Sequence, residues 1–141
     1  MRIIKKREVR KAGKGDHLVY RIYYGDEIVY VGRTSQPLCD RLRGHFFKKK
    51  FYVLIDINQV TRIEYSVYKT VADMYLYEIY WINTFHPRLN KSDRADDNLT
   101  VQLPNVRWMQ YTPRLFDKWK ADINEDRRAI KEWKKEEDTY V

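Results

Sequence analysis

Short runs rich in β-branched and aromatic residues, Val19 to Tyr24 and Ile28 to Val31, are separated by Gly25-Asp26-Glu27. Side chains of that kind suit a pleated surface, and a glycine-containing spacer of hairpin length predicts two adjacent antiparallel strands. Leu38, Leu42 and Phe46 then recur at four-residue steps. That spacing marks one helical face, predicting a helix that begins near Ser35 or Pro37 and ends in Lys48-Lys49-Lys50. Ile63, Tyr65 and Val67 alternate with Arg62, Glu64 and Ser66, the period of a third strand with one buried face. Thr70 has the chemistry of a cap for a helix running to about Phe85, and Pro87 stands where a helix has stopped. Residues 91–105, rich in Asp, Asn and Ser and closing at Pro104, read as a loop. From about Arg114 to Glu137 the chain turns helical again, with Leu115, Trp119, Ile123, Ile130 and Trp133 as a partial apolar stripe.

Length and composition add limits to this pattern. A chain of 141 residues makes a single domain, about two thirds of whose unfolded surface is buried on folding. A net charge of +8 and an isoelectric point near 9.5 suit a polyanionic partner, and twelve tyrosines supply stacking and hydrogen-bonding surface. The charge is unevenly placed. Residues 1–14 carry seven basic side chains against Glu8, whereas Asp117 to Val141 sum to −1, leaving +9 elsewhere. Residues 1–17 therefore read as a basic arm or edge strand in which Lys5, Lys6 and Arg7 can meet phosphate. A single cysteine, Cys39, excludes an internal disulfide and a cysteine-rich zinc module, and reads as a small core residue on a helix. No apolar run approaches the roughly 20 residues of a membrane span, and the charged start Met1-Arg2-Ile3-Ile4-Lys5-Lys6 is unlike a signal peptide, so a cytoplasmic protein is expected.

Tyr20 and Tyr30, in Leu18-Val19-Tyr20 and Tyr30-Val31-Gly32, fall on the two strands of the predicted hairpin, and its register decides whether the phenols share a reacting group. Downstream come Arg41 and His45 in Asp40-Arg41-Leu42-Arg43-Gly44-His45-Phe46, Glu78 in Tyr77-Glu78-Ile79-Tyr80-Trp81-Ile82, and Asn90 in Pro87-Arg88-Leu89-Asn90. In these residues the chain resembles the GIY-YIG nucleases over residues 18–92, with Leu18 in place of the usual glycine. The resemblance implies an α/β (α+β) fold: a three-stranded antiparallel sheet flanked by helices, here with residues 93–141 as a loop and a C-terminal helical extension. It also implies a phosphodiester hydrolase whose catalytic residues are Tyr20, Tyr30, Arg41, His45, Glu78 and Asn90. The stretch from Tyr30 to Arg41 is one residue longer than in many relatives, which leaves Arg41 and Arg43 as alternatives for the essential arginine. The four-residue step to His45 favours Arg41.

These residue types suit the task. Phosphodiester hydrolysis needs an activated water and neutralisation of charge on the phosphoryl oxygens. Glu78, on a helix among Met74, Tyr75, Ile79 and Ile82, is a carboxylate in apolar surroundings, and a divalent cation explains it. A hard oxygen ligand without a second acidic residue in the matched motifs suits one Mg²⁺ or Mn²⁺. The Arg41 fork matches phosphate. Arg33, Arg41 and the metal are expected to favour a tyrosinate, so that one tyrosine activates or orients the water and the other positions it. His45 can accept a proton from a tyrosine or contact phosphate, and Asn90 holds the active-site loop through its amide. Arg33, Arg43, Lys48, Lys49 and Lys50, with the arm's Lys5, Lys6 and Arg7, are candidate DNA contacts. DNA is the expected partner, and the protein is a monomer or a homodimer joined through Trp119 and Trp133. Homing-type, phage, restriction and repair roles all fit, as do two rivals: a non-cleaving DNA-binding module, and an RNA-binding or processing protein.

Overall fold

The computed structural model describes residues 16–47 and 52–139, with side chains as far as Lys131 in the last helix. Lys5, Lys6, Arg7, Lys48, Lys49, Lys50 and the Trp133 side chain lie outside the described residues.

Strand β1 (His17–Tyr24) turns through Gly25, at φ 59°, into β2 (Glu27–Thr34). A positive φ is costly for residues with a Cβ, so glycine there closes the hairpin without strain. Helix α1 (Leu38–Phe46) follows, then β3 (Val60–Tyr68), α2 (Val71–Phe85), the two-residue β4 (Met109–Gln110) and α3 (Phe116–Thr139). The sheet is antiparallel, ordered β2-β1-β3-β4. It thus has four strands rather than the three expected. Met109-Gln110 pairs with Glu64 and Tyr65 and is too short to leave a periodic signal.

Helices cover both sheet faces. On one, Leu18, Tyr20, Ile22, Ile63 and Tyr65 pack with Leu38, Leu42 and Phe46 of α1 and with Trp119 of α3. On the other, Val19, Val31 and Tyr68 pack with Met74, Trp81 and Ile82 of α2. Leu18, the departure from the family pattern, is fully buried in the first of these layers.

The two covered faces correct the reading of β3. Glu64 and Ser66, expected outside, are buried, whereas Val67, expected inside, is 45% exposed. Burial of the second face is tolerated because its polar groups are paired. Arg21 donates to Glu64 at 2.8 Å, Arg62 also bonds Glu64, and the Tyr68 hydroxyl meets Ser66 Oγ at 2.8 Å and accepts from Trp81 Nε1 at 3.1 Å.

Helix α2 matches its sequence signals. Thr70 Oγ1 accepts from the Asp73 amide at 3.0 Å, and His86 closes the far end at φ 48°. Helix α1 is shorter than expected and stops at Phe46, before the lysines. Leu115 lies outside α3 and is exposed, as is Ile130, so among the described residues the stripe reaches the core through Trp119 and Ile123, and Phe116, outside the stripe, packs beside them.

Candidate active site

The hairpin register places Tyr20 opposite Gly32, and a β-bulge between Ile22 and Tyr23 leaves Tyr30 opposite Ile22. The tyrosines are therefore diagonal neighbours on one face rather than direct partners, with ring centroids 6.2 Å apart. Gly32 lies beneath both rings. A Cβ there would collide with the Tyr20 phenol and stand 2.9 Å from Tyr30 Cε2, so the third residue of Tyr30-Val31-Gly32 is small because the tyrosines occupy its side-chain space.

Helix α1 faces this pair. Leu38, Leu42 and Phe46 anchor it to the core, which turns Arg41 and His45 toward the tyrosines. His45 is 1% exposed; its Nδ1 lies 2.7 Å from the Val53 carbonyl oxygen and its Nε2 lies 2.6 Å from the Tyr20 hydroxyl. A carbonyl only accepts, so Nδ1 carries the hydrogen and Nε2 is left with a lone pair that accepts from the Tyr20 hydroxyl. The ring is neutral in agreement with this: burial, aided by the Arg41 charge, lowers its pKa from 6.5 to about 4 against the pull of the Val53 bond. The ring also lies 4.8 Å from that of Tyr30.

Arg41 Nη1 donates to the Tyr52 hydroxyl at 3.1 Å, and the guanidinium sits over the Tyr52 ring at 4.6 Å. Its Nε is buried with no hydrogen-bond partner. Arg43 is exposed and lies over Phe47, so Arg41 is the arginine that joins the cluster. Tyr52 is a site residue that the sequence motifs do not mark. It arrives because the chain after α1 folds back, with the Ile55 amide donating to the His45 carbonyl, and because a Cβ at Gly44 would occupy its ring. A glycine within a predicted helix was the available signal, since it costs about 1 kcal/mol against alanine unless something packs there.

Arg33 and Arg41 alone do not bring the phenols down. Burial raises Tyr20 well above its ordinary value, the neighbouring Tyr30 adds to this, and Arg41 only partly opposes it. Tyr30 is raised chiefly by burial and next by the Glu78 charge. Both are neutral phenols: desolvation of a buried phenolate outweighs attraction to Arg41.

Glu78 reaches this edge from α2 on the opposite sheet face. It is 7% exposed, and its Oε1 accepts from Arg33 Nη1 at 2.8 Å. Burial raises its pKa, Arg33 pulls it down, and Asp93 pushes it up again. Arg33 lies over the Tyr75 ring at 4.1 Å. Asn90 faces the backbone instead: Oδ1 accepts from the Val31 amide at 2.9 Å and Nδ2 donates to the Val31 carbonyl at 2.8 Å. Together with the Leu89 amide on the Val29 carbonyl, this covers the outer edge of β2 and sets the strand that carries Tyr30.

Among the described residues no group of three or more His, Cys, Asp or Glu side chains forms a metal cage. Glu78 offers one buried carboxylate with a counter-charge at one oxygen. A lone buried carboxylate fits a single hard dication rather than a metal cage built from protein side chains.

A family model described as the GIY-YIG catalytic domain matches residues 16–92. Neither the curated proteins nor the solved structures yield a match.

Proposed function

The chain belongs to the GIY-YIG nuclease family, and from that membership we propose that it is a divalent-metal-dependent DNA endonuclease acting at Tyr20, Tyr30, Arg41, His45 and Glu78. The observation that carries this reading is the hydrogen-bond chain from the Tyr20 hydroxyl through His45 to the Val53 carbonyl, beside a buried Arg41 Nε that lacks a partner.

Each group has a task. A water held at Tyr20 loses a proton to the phenol oxygen as the phenol passes its own proton to His45 Nε2, leaving hydroxide, a neutral tyrosine and an imidazolium whose Nδ1–H already rests on Val53. Tyr20 is thereby a relay and His45 the acceptor, which removes the need for a buried phenolate. Tyr30, whose ring lies 6.2 Å from that of Tyr20 and whose phenol feels the Glu78 charge, orients the water or the phosphate. The open Nε of Arg41 meets a phosphoryl oxygen, while Tyr52 holds the other end of the guanidinium in place. A bound Mg²⁺ or Mn²⁺, with Glu78 as its carboxylate ligand, supplies charge neutralisation at the phosphoryl oxygens. Asn90 positions β2 and does not touch the reacting atoms. The +9 carried outside the acidic–basic balance of residues 117–141 suits a DNA backbone.

Supercoiled plasmid incubated with Mg²⁺, Mn²⁺ or chelator, beside Glu78→Gln, tests the proposal. Metal-dependent nicked or linear product, reduced by about 10²-fold or more in the variant, is expected for loss of a charge-stabilising group. Equal cutting by a folded Glu78→Gln protein would refute the role of Glu78. Cutting that persists in chelator would refute metal dependence.

A further inference from the structure

The carboxylate assigned to the metal is already held by a cation. We propose that Arg33 guards Glu78 and releases it to a divalent cation only when a DNA phosphate takes the guanidinium, so that metal and DNA bind with positive coupling. This rests on the reading of Glu78 as the metal ligand.

The two partners are unequally free to move. The Glu78 side chain is 9% exposed and fixed on α2 in a closed layer, whereas that of Arg33 is 39% exposed on a long, flexible stem. The Tyr75 ring, itself 46% exposed, gives the guanidinium a planar surface to slide across at the rim of the site. Among the described residues the only side-chain hydrogen bond of Arg33 is the one to Glu78 Oε1, so its remaining guanidinium N–H groups are available to an incoming anion.

Charge makes the exchange necessary. A buried carboxylate requires a compensating positive charge, which Arg33 supplies at 2.8 Å. A dication at the same oxygen would face the guanidinium at close range, and like charges in a partly desolvated site repel strongly. Glu78 can therefore hold Arg33 or the metal well, but not both. A backbone phosphate resolves the conflict, because it offers the guanidinium a bidentate acceptor and the metal a further oxygen ligand. The other described cation of the cluster does not compete for Glu78: Arg41 is engaged with Tyr52. Coupling of this kind keeps the site from loading metal away from substrate.

Binding of Mn²⁺, followed by the loss of its free-ion paramagnetic resonance signal, tests the guard without using turnover. Wild type, Arg33→Met, Arg33→Lys and Glu78→Gln are each titrated alone and with a short DNA duplex, whose own Mn²⁺ uptake is subtracted and whose integrity is checked on a gel. Circular dichroism confirms that each variant is folded. The expected result is weak Mn²⁺ binding by wild type and Arg33→Lys alone, and binding about tenfold or more tighter by Arg33→Met. DNA should tighten wild type by a similar factor and Arg33→Met far less, while Glu78→Gln binds weakly throughout. Equal Mn²⁺ affinity for wild type and Arg33→Met without DNA would overturn the guard and leave the metal reading intact. Absence of Mn²⁺ binding by wild type with DNA present would overturn both. If Arg33→Met does not fold, DNA-dependent tightening of wild type and of Arg33→Lys decides the question, and its absence overturns the guard.

Discussion

His45 shows most directly how an ordinary residue acquires a special state. A free imidazole is half-charged near pH 6.5, yet here burial holds it neutral to about pH 4, and the Val53 carbonyl selects the tautomer that faces Tyr20 with a lone pair. The linkage has a definite sign. Between pH 6.5 and about 4 the unfolded chain binds a proton at this site that the folded chain refuses, so stability falls as pH falls through that window. The full difference amounts to roughly 3 kcal/mol. Urea unfolding from pH 7 to 4 should show that loss in wild type, and His45→Gln should flatten it while abolishing cleavage. An unchanged pH slope in the variant would place the acid sensitivity elsewhere. Tyr20, Tyr30, Arg41, His45, Glu78 and Asn90 were all legible as an ordered set of motifs. Their ionisation was not, because a pKa depends on which neighbours exclude water, and the sequence contains no distances.

At the scale of elements, the edge strand β2 sets the tolerances of the site. Tyr30, Gly32 and Arg33 lie on it, and its outer side is completed by the Asn90 amide rather than by another strand. Asn90→Ala leaves the buried Val31 amide and carbonyl without that partner and should cost about 1–3 kcal/mol. Because the loss falls on the strand that carries Tyr30, cleavage should drop more than DNA binding. Calorimetric melting beside a plasmid assay measures both, and an unchanged melting temperature would mean that water replaces the amide. The helices and first three strands were readable from capping residues and periodicity, with Thr70 and Phe85 bounding α2 as expected. The bulge between Ile22 and Tyr23, the short β4 and the doubly covered β3 were not. Each is a product of pairing between distant segments, where register and layer order override local pattern.

At the scale of the whole molecule, the described part of α3 meets the hydrophobic core near its start. Trp119 is 4% exposed against Phe46 and Phe47, whereas residues 125–131 are all exposed. Trp119→Ala should therefore cost about 3–5 kcal/mol, while Ile130→Ala should stay within about 0.5 kcal/mol unless a second chain covers it. Urea unfolding at two protein concentrations separates these outcomes, since a stability that rises with concentration would place Ile130 in an interface. From sequence alone came the order of the three helices and first three strands, the basic charge held away from residues 117–141, and the motif residues of a GIY-YIG domain. Propensity, capping and charge are local or additive properties, so a linear chain displays them. Tertiary structure alone decided that Tyr20 lies diagonal to Tyr30, that Tyr52 joins Arg41 across Gly44, and that Glu78 comes through the opposite layer to meet Arg33. Those contacts join residues 10 to 45 apart along the chain, and only packing, by choosing what is desolvated beside what, could determine them.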